Sequence, residues 1–285
     1  MKVSSPCRTD LPSEELPDEV KADRRETLKA ALAGLAVLAA GSVHPLVARA
    51  ARRAARSPAK RHYAMVIDLR RCIGCRGCTV ACKSEFGDAI GVFRSCVQER
   101  DLGKYPKTRR RFVPVLCNHC SAPPCVEACP VDPVEATFEW PDDSTTTYER
   151  RATYKRPDGP VLVDEKRCIS CGACIEACPY GARFYNPHAE AGGSPGEHAI
   201  GKCTLCVHRV GEGLVPSCVQ TCLGRARIFG DLSDPDSEVS QLLRANKTRV
   251  LLPRKGAEPN VFYIGLEDDA YRSYGDEEGF RDEIG

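Results

Sequence analysis

Large aromatic side chains are scarce: 285 residues contain one Trp and 8 Phe, and only 2 Met. A core of ordinary size needs other fillers. Net charge is nearly absent, because 41 basic residues face 39 acidic ones and leave +2. That balance excludes a general polyanion binder and gives no reason to expect a nucleic-acid partner. No apolar run reaches the ~20 residues that a membrane-spanning helix needs. The stretch Ala30 to Val43 ends after 14, interrupted by His44 and Pro45. There is no Gly-rich dinucleotide fingerprint, P-loop or nucleophile elbow, so no residue stands out as catalytic. What the chain has in excess is cysteine, 18 in all, together with 23 Gly and 21 Pro. At ~150 residues per domain the length allows one or two domains.

The first 50 residues read as an export signal. Arg24-Arg25 precedes Leu28-Lys29, the apolar run follows, and Ala48-Arg49-Ala50 offers a small-x-small cleavage box. The run resembles a twin-arginine signal, from which Asp23 and Thr27 depart. That route carries folded proteins, which suits a cofactor inserted before export and implies a periplasmic location. Cys7 falls inside the signal. Residues 51–61, with Arg52, Arg53, Arg56, Lys60 and Arg61, form a basic linker without a core pattern.

Four cysteine runs carry the chemistry. They are Cys72, Cys75, Cys78, Cys82; Cys117, Cys120, Cys125, Cys129; Cys168, Cys171, Cys174, Cys178; and Cys203, Cys206, Cys218, Cys222. Only Cys7 and Cys96 lie outside them. The first and third runs have the bacterial ferredoxin spacing C-x2-C-x2-C-x3-C, and Pro179 follows the third. Two-residue gaps wrap a loop around one cubane and offer it three thiolates. The x3 step starts a helical turn that carries the last Cys toward a different cluster. Runs of this kind come in partner pairs, so four runs imply four 4Fe–4S clusters. Gly74, Gly77 and Gly172 permit tight loops, and Ile73, Ile169, Ile175, Val126 and Val219 are candidates to shield the clusters.

Zinc ribbons use separated Cys-x2-Cys pairs and need neither the third Cys nor the helical step. Disulfides are the default of an exported cysteine-rich chain, yet triplets two residues apart pair poorly. An internal repeat supports the ferredoxin reading. Met65–Ile73 parallels Val161–Ile169 at an offset of 96, each a short apolar strand, an Asp, a basic pair and a cysteine loop. The fold expected is α+β and loop-rich: two nested dicluster-ferredoxin-like modules with an inserted β-hairpin and a C-terminal extension. The inserted hairpin is expected at Ala136–Asp143, with Trp140 as a candidate contact point. The four-cluster domain takes residues 62–230. Residues 231–285 form the extension, with a helix at Asp236–Ala245, a strand at Val261–Ile264 and an acidic tail holding 8 Asp and Glu in its last 20 residues.

Arg71-Cys72-Ile73-Gly74-Cys75, Cys117-Asn118-His119-Cys120 with Pro123-Pro124-Cys125, Ala177–Phe184 and Ala226–Leu232 resemble the four-cluster beta subunits of the dimethyl sulfoxide reductase superfamily. The exported subunits of tetrathionate, polysulfide and thiosulfate reductases are the most similar. The resemblance implies that runs one and four pair, as do two and three. Cys72, Cys75 and Cys78 would share a cluster with Cys222, and Cys203, Cys206 and Cys218 with Cys82. Cys117, Cys120 and Cys125 would share one with Cys178, and Cys168, Cys171 and Cys174 with Cys129. It also implies an electron relay between a membrane quinone-reactive subunit and a molybdopterin catalytic subunit. The mature chain itself has no membrane span. Alternatives are the equivalent subunit of a hydrogenase or of a sulfite-reductase-linked cytochrome complex and, more distantly, a non-redox metal scaffold.

His119 and His208 are expected as hydrogen-bonding or surface residues. Lys83, Lys202 and Arg209 are candidates to offset thiolate charge, Cys96 is expected to be a buried small residue, and Lys104, Lys107 and Arg109–Arg111 form a basic stretch.

Overall fold

The computed structural model describes residues 60–266. The expected signal, Cys7, nearly all of the linker and the acidic tail after 266 lie outside these residues. Strand β1, Tyr63–Asp68, is buried on both faces from Ala64 to Asp68, as its continuous apolar run requires. It sits inside a four-stranded sheet between β10 (Arg227–Asp231), antiparallel to it, and β12 (Val261–Ile264), parallel to it. β11 (Thr248–Arg249) pairs with the far side of β12. Residues beyond 230, expected as an extension, therefore supply two strands and a helix to the structure that contains β1.

The two-residue period of a strand gives this sheet two different faces. Met65, Ile67, Val261 and Tyr263 point into a core that also contains six of the run cysteines. Ala64, Val66, Ile228 and Ile264 point the other way, onto helix α6 (Glu238–Ala245) through Val239, Leu242 and Leu243. Ser237 caps that helix, its Oγ accepting from the Ser240 N–H at 3.1 Å. The helix starts two residues later than expected, because Asp236 belongs to the turn before the cap.

The remainder is built from short helices and hairpins. Helix α1 is Gly77–Phe86, α2 Pro124–Glu127, α3 Ala173–Glu176, α4 Val207–Gly211 and α5 Ser217–Gln220. β2 (Ser95–Leu102) pairs with β3 (Arg109–Leu116), and β4 (Val134–Glu139) with β5 (Thr145–Arg150). β6 (Thr153–Lys155) pairs with β7 (Val161–Val163), and β8 (Arg183–Ala191) with β9 (Ser194–Lys202). In the basic stretch, Arg109–Arg111 form the outer half of β3, where Arg110 meets Asp101 at 2.8 Å, while Lys104 and Lys107 lie in the loop before it. Trp140, a candidate contact point, is buried instead. Its indole N–H donates to Thr146 Oγ1 at 2.7 Å and its ring packs edge-on against Phe138.

The repeat in the sequence is a repeat in space. Asp68 ends β1 and accepts the Arg70 N–H, while Asp164 follows β7 and accepts the Lys166 N–H, each at 3.1 Å. These Asx turns deliver the chain into the first and third cysteine loops.

Candidate metal centre

Each cysteine run adopts one local conformation. The residue before the second Cys is left-handed in all four: Gly74, His119, Ser170 and Leu205, with φ of 70°, 44°, 55° and 57°. Only glycine does this freely, and L-residues lose ~1–2 kcal/mol each. The third Cys then enters a helix: Cys78 in α1, Cys125 in α2, Cys174 in α3 and Cys218 in α5. Cys82 lies a turn further along α1, and Cys129, Cys178 and Cys222 follow the other three helices. Helix α1 packs on α5 and α2 on α3, so the first run meets the fourth and the second meets the third.

This packing gathers thiols from different runs. Cys72, Cys75, Cys78 and Cys222 line one cavity. Cys82 has Cys203, Cys218 and Cys206 as its charge neighbours. Cys120 has Cys117, Cys125 and Cys178. Cys174 faces Cys125 and Cys168, with Cys171 on the loop before it and Cys129 at the end of the helix packed against α3. The groups follow one another in order, each within the electrostatic reach of the next: Cys78 acts on Cys218, Cys117 on Cys203, and Cys125 on Cys174. The sixteen sulfurs therefore form a row of four thiol groups. The two inner groups are wholly buried, whereas each outer group has one exposed member, Cys75 and Cys171.

The side chains around the row suit an iron–sulfur cube. None of the sixteen cysteines is in a disulfide. Among the described residues, no three His, Cys, Asp or Glu side chains come close enough to hold one metal ion. Burial pushes the Cys203 thiol up to about 12, with Cys117 adding to it. Burial raises Cys178 and Cys206 to about 11. Such thiols ionise only when a metal takes the thiolate. Buried polar groups without a protein partner sit beside them: the Thr79 and Thr204 hydroxyls, the Asn118 amide and the His119 Nε2. Buried donors require acceptors, and the thiolates and sulfides of a cluster supply them. His119 is the clearest case. Its Nδ1 accepts the Val161 N–H at 3.0 Å, so the ring proton sits on the unpartnered Nε2. Burial, then Lys202 and Arg183, keep this imidazole neutral.

Backbone N–H groups also reach the sulfurs. Ala226 donates to Cys222 Sγ at 3.2 Å and Leu205 to Cys203 Sγ at 3.4 Å. Ala182 and Tyr180 donate to Cys178. Two buried guanidinium groups do the same, Arg183 to Cys125 Sγ at 3.0 Å and Arg227 to Cys218 Sγ at 3.7 Å. Burial opposes the charge of both, and the surrounding sulfurs outweigh it and raise their pKa.

The chain matches known proteins. Residues 108–232 match the 4Fe-4S dicluster domain family. A tetrathionate reductase subunit of Salmonella typhimurium is 42% identical over 213 residues, covering 73% of this chain and 74% of that protein. The chain belongs to the iron–sulfur beta subunits of the dimethyl sulfoxide reductase superfamily. Further members similar to it are a selenate reductase subunit of Mesobacillus selenatarsenatis, 36% identical over 75% of each chain, and the arsenate respiratory reductase iron–sulfur subunit of a Shewanella species, 34% identical over 70% of this chain and 94% of that one. As a member of this group of beta subunits, the protein binds 4Fe–4S clusters and transfers electrons.

Sequence reasoning placed some neighbours of the row differently. Of the cations singled out, only Lys202 is buried among the sulfurs. Lys83 donates to the Ala89 and Val92 carbonyls beside Phe93. His208 and Arg209 both bind Glu85, at 2.8 and 3.2 Å. Cys96 packs against the core from β2, opposite Val115. Ile73 and Ile169, expected as shields, are exposed at 62% and 37%, whereas Val126, Ile175 and Val219 do pack inward. Arg183 and Arg227 were not identified. The signal for them was present, since each follows the last Cys of its run by five residues and is preceded by Ala.

Proposed function

We propose that the row of thiol groups holds four 4Fe–4S clusters in two nested dicluster modules and acts as a wire for single electrons. Cys72, Cys75, Cys78 and Cys222 ligate the first cluster, and Cys82, Cys203, Cys206 and Cys218 the second. Cys117, Cys120, Cys125 and Cys178 ligate the third, and Cys129, Cys168, Cys171 and Cys174 the fourth. The observation that carries this reading is the row itself, sealed in the middle and open at both ends. Ile73 beside Cys75 and Leu223 next to Cys222 flank the first group, and Ile169 and Tyr185 flank Cys171 of the fourth, all exposed. Thiolate-bound cubanes take one electron each with little change of shape, and their potentials follow charge, hydrogen bonding and solvent exposure. Partners that give and take electrons dock at these two ends.

One partner is a molybdopterin catalytic subunit and the other a multi-helix, quinone-reactive membrane protein. Among the described residues no helix is long and apolar enough to cross a membrane, so attachment through a partner fits. The export signal puts the complex in the periplasm. The similarity to the tetrathionate reductase protein favours reduction of an oxidised sulfur compound. A second reading reverses the current: a sulfite dehydrogenase subunit of Allochromatium vinosum is 36% identical over 70% of this chain, and a dehydrogenase sends electrons outward from its catalytic subunit.

The test is strictly anaerobic purification from the native host. The expected result is a brown protein with sixteen irons and sixteen sulfides per chain, co-purifying with a large molybdenum-containing subunit identified through mass spectrometry. A colourless protein, or one with iron for two clusters or fewer, refutes the wire.

A further inference from the structure

Three cations lie wholly inside this molecule without a carboxylate. Arg183, Lys202 and Arg227 are 4%, 2% and 2% exposed, and the ion pairs among the described residues include none of them. Arg94, the other buried arginine, is different: it meets buried Asp88 at 2.9 Å. A buried charge without a counter-charge is heavily penalised, so the counter-charge of the other three must lie in the thiol row.

Their positions along the row are regular. Arg227 lines the cavity of the first thiol group and donates to Cys218 of the second. It is held by the Ser95 hydroxyl at 2.8 Å. Lys202 donates to the carbonyls of Cys203, in the second group, and of Val161. The N–H of that same Val161 binds His119 in the loop of the third group. Arg183 donates to Cys125 of the third group, and its field also falls on Cys174 of the fourth. It is steadied by Thr153 Oγ1 at 3.4 Å.

The geometry points to one buried cation at each of the three junctions between neighbouring clusters, each shared by the two clusters it separates. This inference rests on the four-cluster reading. When an electron hops, one cluster loses a negative charge and its neighbour gains one, and the cation between them stabilises the reduced state of either. The three cations therefore raise the reduction potentials in overlapping pairs. They also allow anionic clusters to stand close together in a dry interior. Arg183 and Lys202 are cross-strand partners at the open end of one hairpin, β8–β9, so two of the three junctions depend on a single element.

The experiment uses the full chain in its native complex, with Arg227→Gln, Lys202→Gln and Arg183→Gln, iron analysis, and redox titration of each cluster by electron paramagnetic resonance. Each substitution is expected to disfavour reduction of its two neighbouring clusters about tenfold, ~59 mV for a one-electron couple. The pairs are first and second for Arg227, second and third for Lys202, and third and fourth for Arg183. Arg227→Lys and Arg183→Lys keep the charge and are expected to leave the potentials within a third of that shift. A full iron content with no shift, or with a shift confined to one cluster, overturns the inference. If the Gln variants lose iron while the Lys variants keep it, the need for charge is upheld. If the Gln and Lys variants lose it alike, the residues serve shape alone and the inference falls. Wild-type protein with far fewer than sixteen irons refutes the underlying wire instead.

Discussion

The two halves of the thiol row are locally alike and differently supported. In the half made by the first and fourth runs, α5 lies against β10 of a four-stranded sheet backed by α6, and α1 lies against α5 and β2. In the half made by the second and third, α2 and α3 lie against the hairpins β6–β7 and β8–β9. Both halves place a left-handed residue before the second Cys and an Arg five residues after the last Cys of the fourth and third runs. In both, an Ala N–H reaches the sulfur of that last Cys. The cysteine loops are thus specified by short-range rules, while the support behind them is free to differ. The difference should appear as unequal dependence on iron, since a lone hairpin is marginal in water but a sheet of three or more strands against a helix is not.

Removal of iron by an anaerobic chelator gives the largest expected effect. Hydrogen exchange should become fast in β6, β7, β8 and β9, while amides of β1, β10 and β12 keep most of their protection. Simultaneous loss in both halves would erase the difference between them. Next in size is Asp88→Asn. Arg94 ties the halves together: it binds Asp88, donates to the Lys202 carbonyl at 2.6 Å and lies over the Phe86 ring of α1. Leaving this guanidinium buried and unpaired should lower stability by ~3–5 kcal/mol, measured by denaturant unfolding under argon, with the β8–β9 hairpin the first element to open. Ile67→Ala should cost ~2–5 kcal/mol and act on the sheet-backed half, leaving exchange in β6–β7 unchanged. The smallest effect is expected from Ser237→Ala. It removes the α6 cap for ~1 kcal/mol, which a small fall in Tm with unaltered iron content would register.

The chemistry was more legible in the sequence than its support. The cysteine runs are strings of near neighbours, and the x3 step is a helical turn that needs no distant partner to be read. The β1–β7 repeat was legible for the same reason, as was β12, whose Val-Phe-Tyr-Ile reads as a strand anywhere. The hairpins β2–β3 and β8–β9 escaped notice because charge interrupts their alternation: β3 begins with three arginines and contains Pro114, and β8–β9 contains Pro187 and Pro195. Their pairing is decided by what they lean on, which no single strand discloses. Arg183 and Arg227 were hidden for a related reason. An isolated arginine usually marks surface, and only the surrounding sulfurs make a buried one tenable.

The parallel contact between β1 and β12 joins segments almost 200 positions apart, Met65 beside Val261. The first thiol group likewise needs Cys222 to close. A ribosome that has made only the opening half of this chain has therefore made neither a finished central sheet nor a complete socket there. Closure of that end must wait until the chain has been made at least as far as β12, which ties its maturation to two distant segments rather than to the cysteine loop alone.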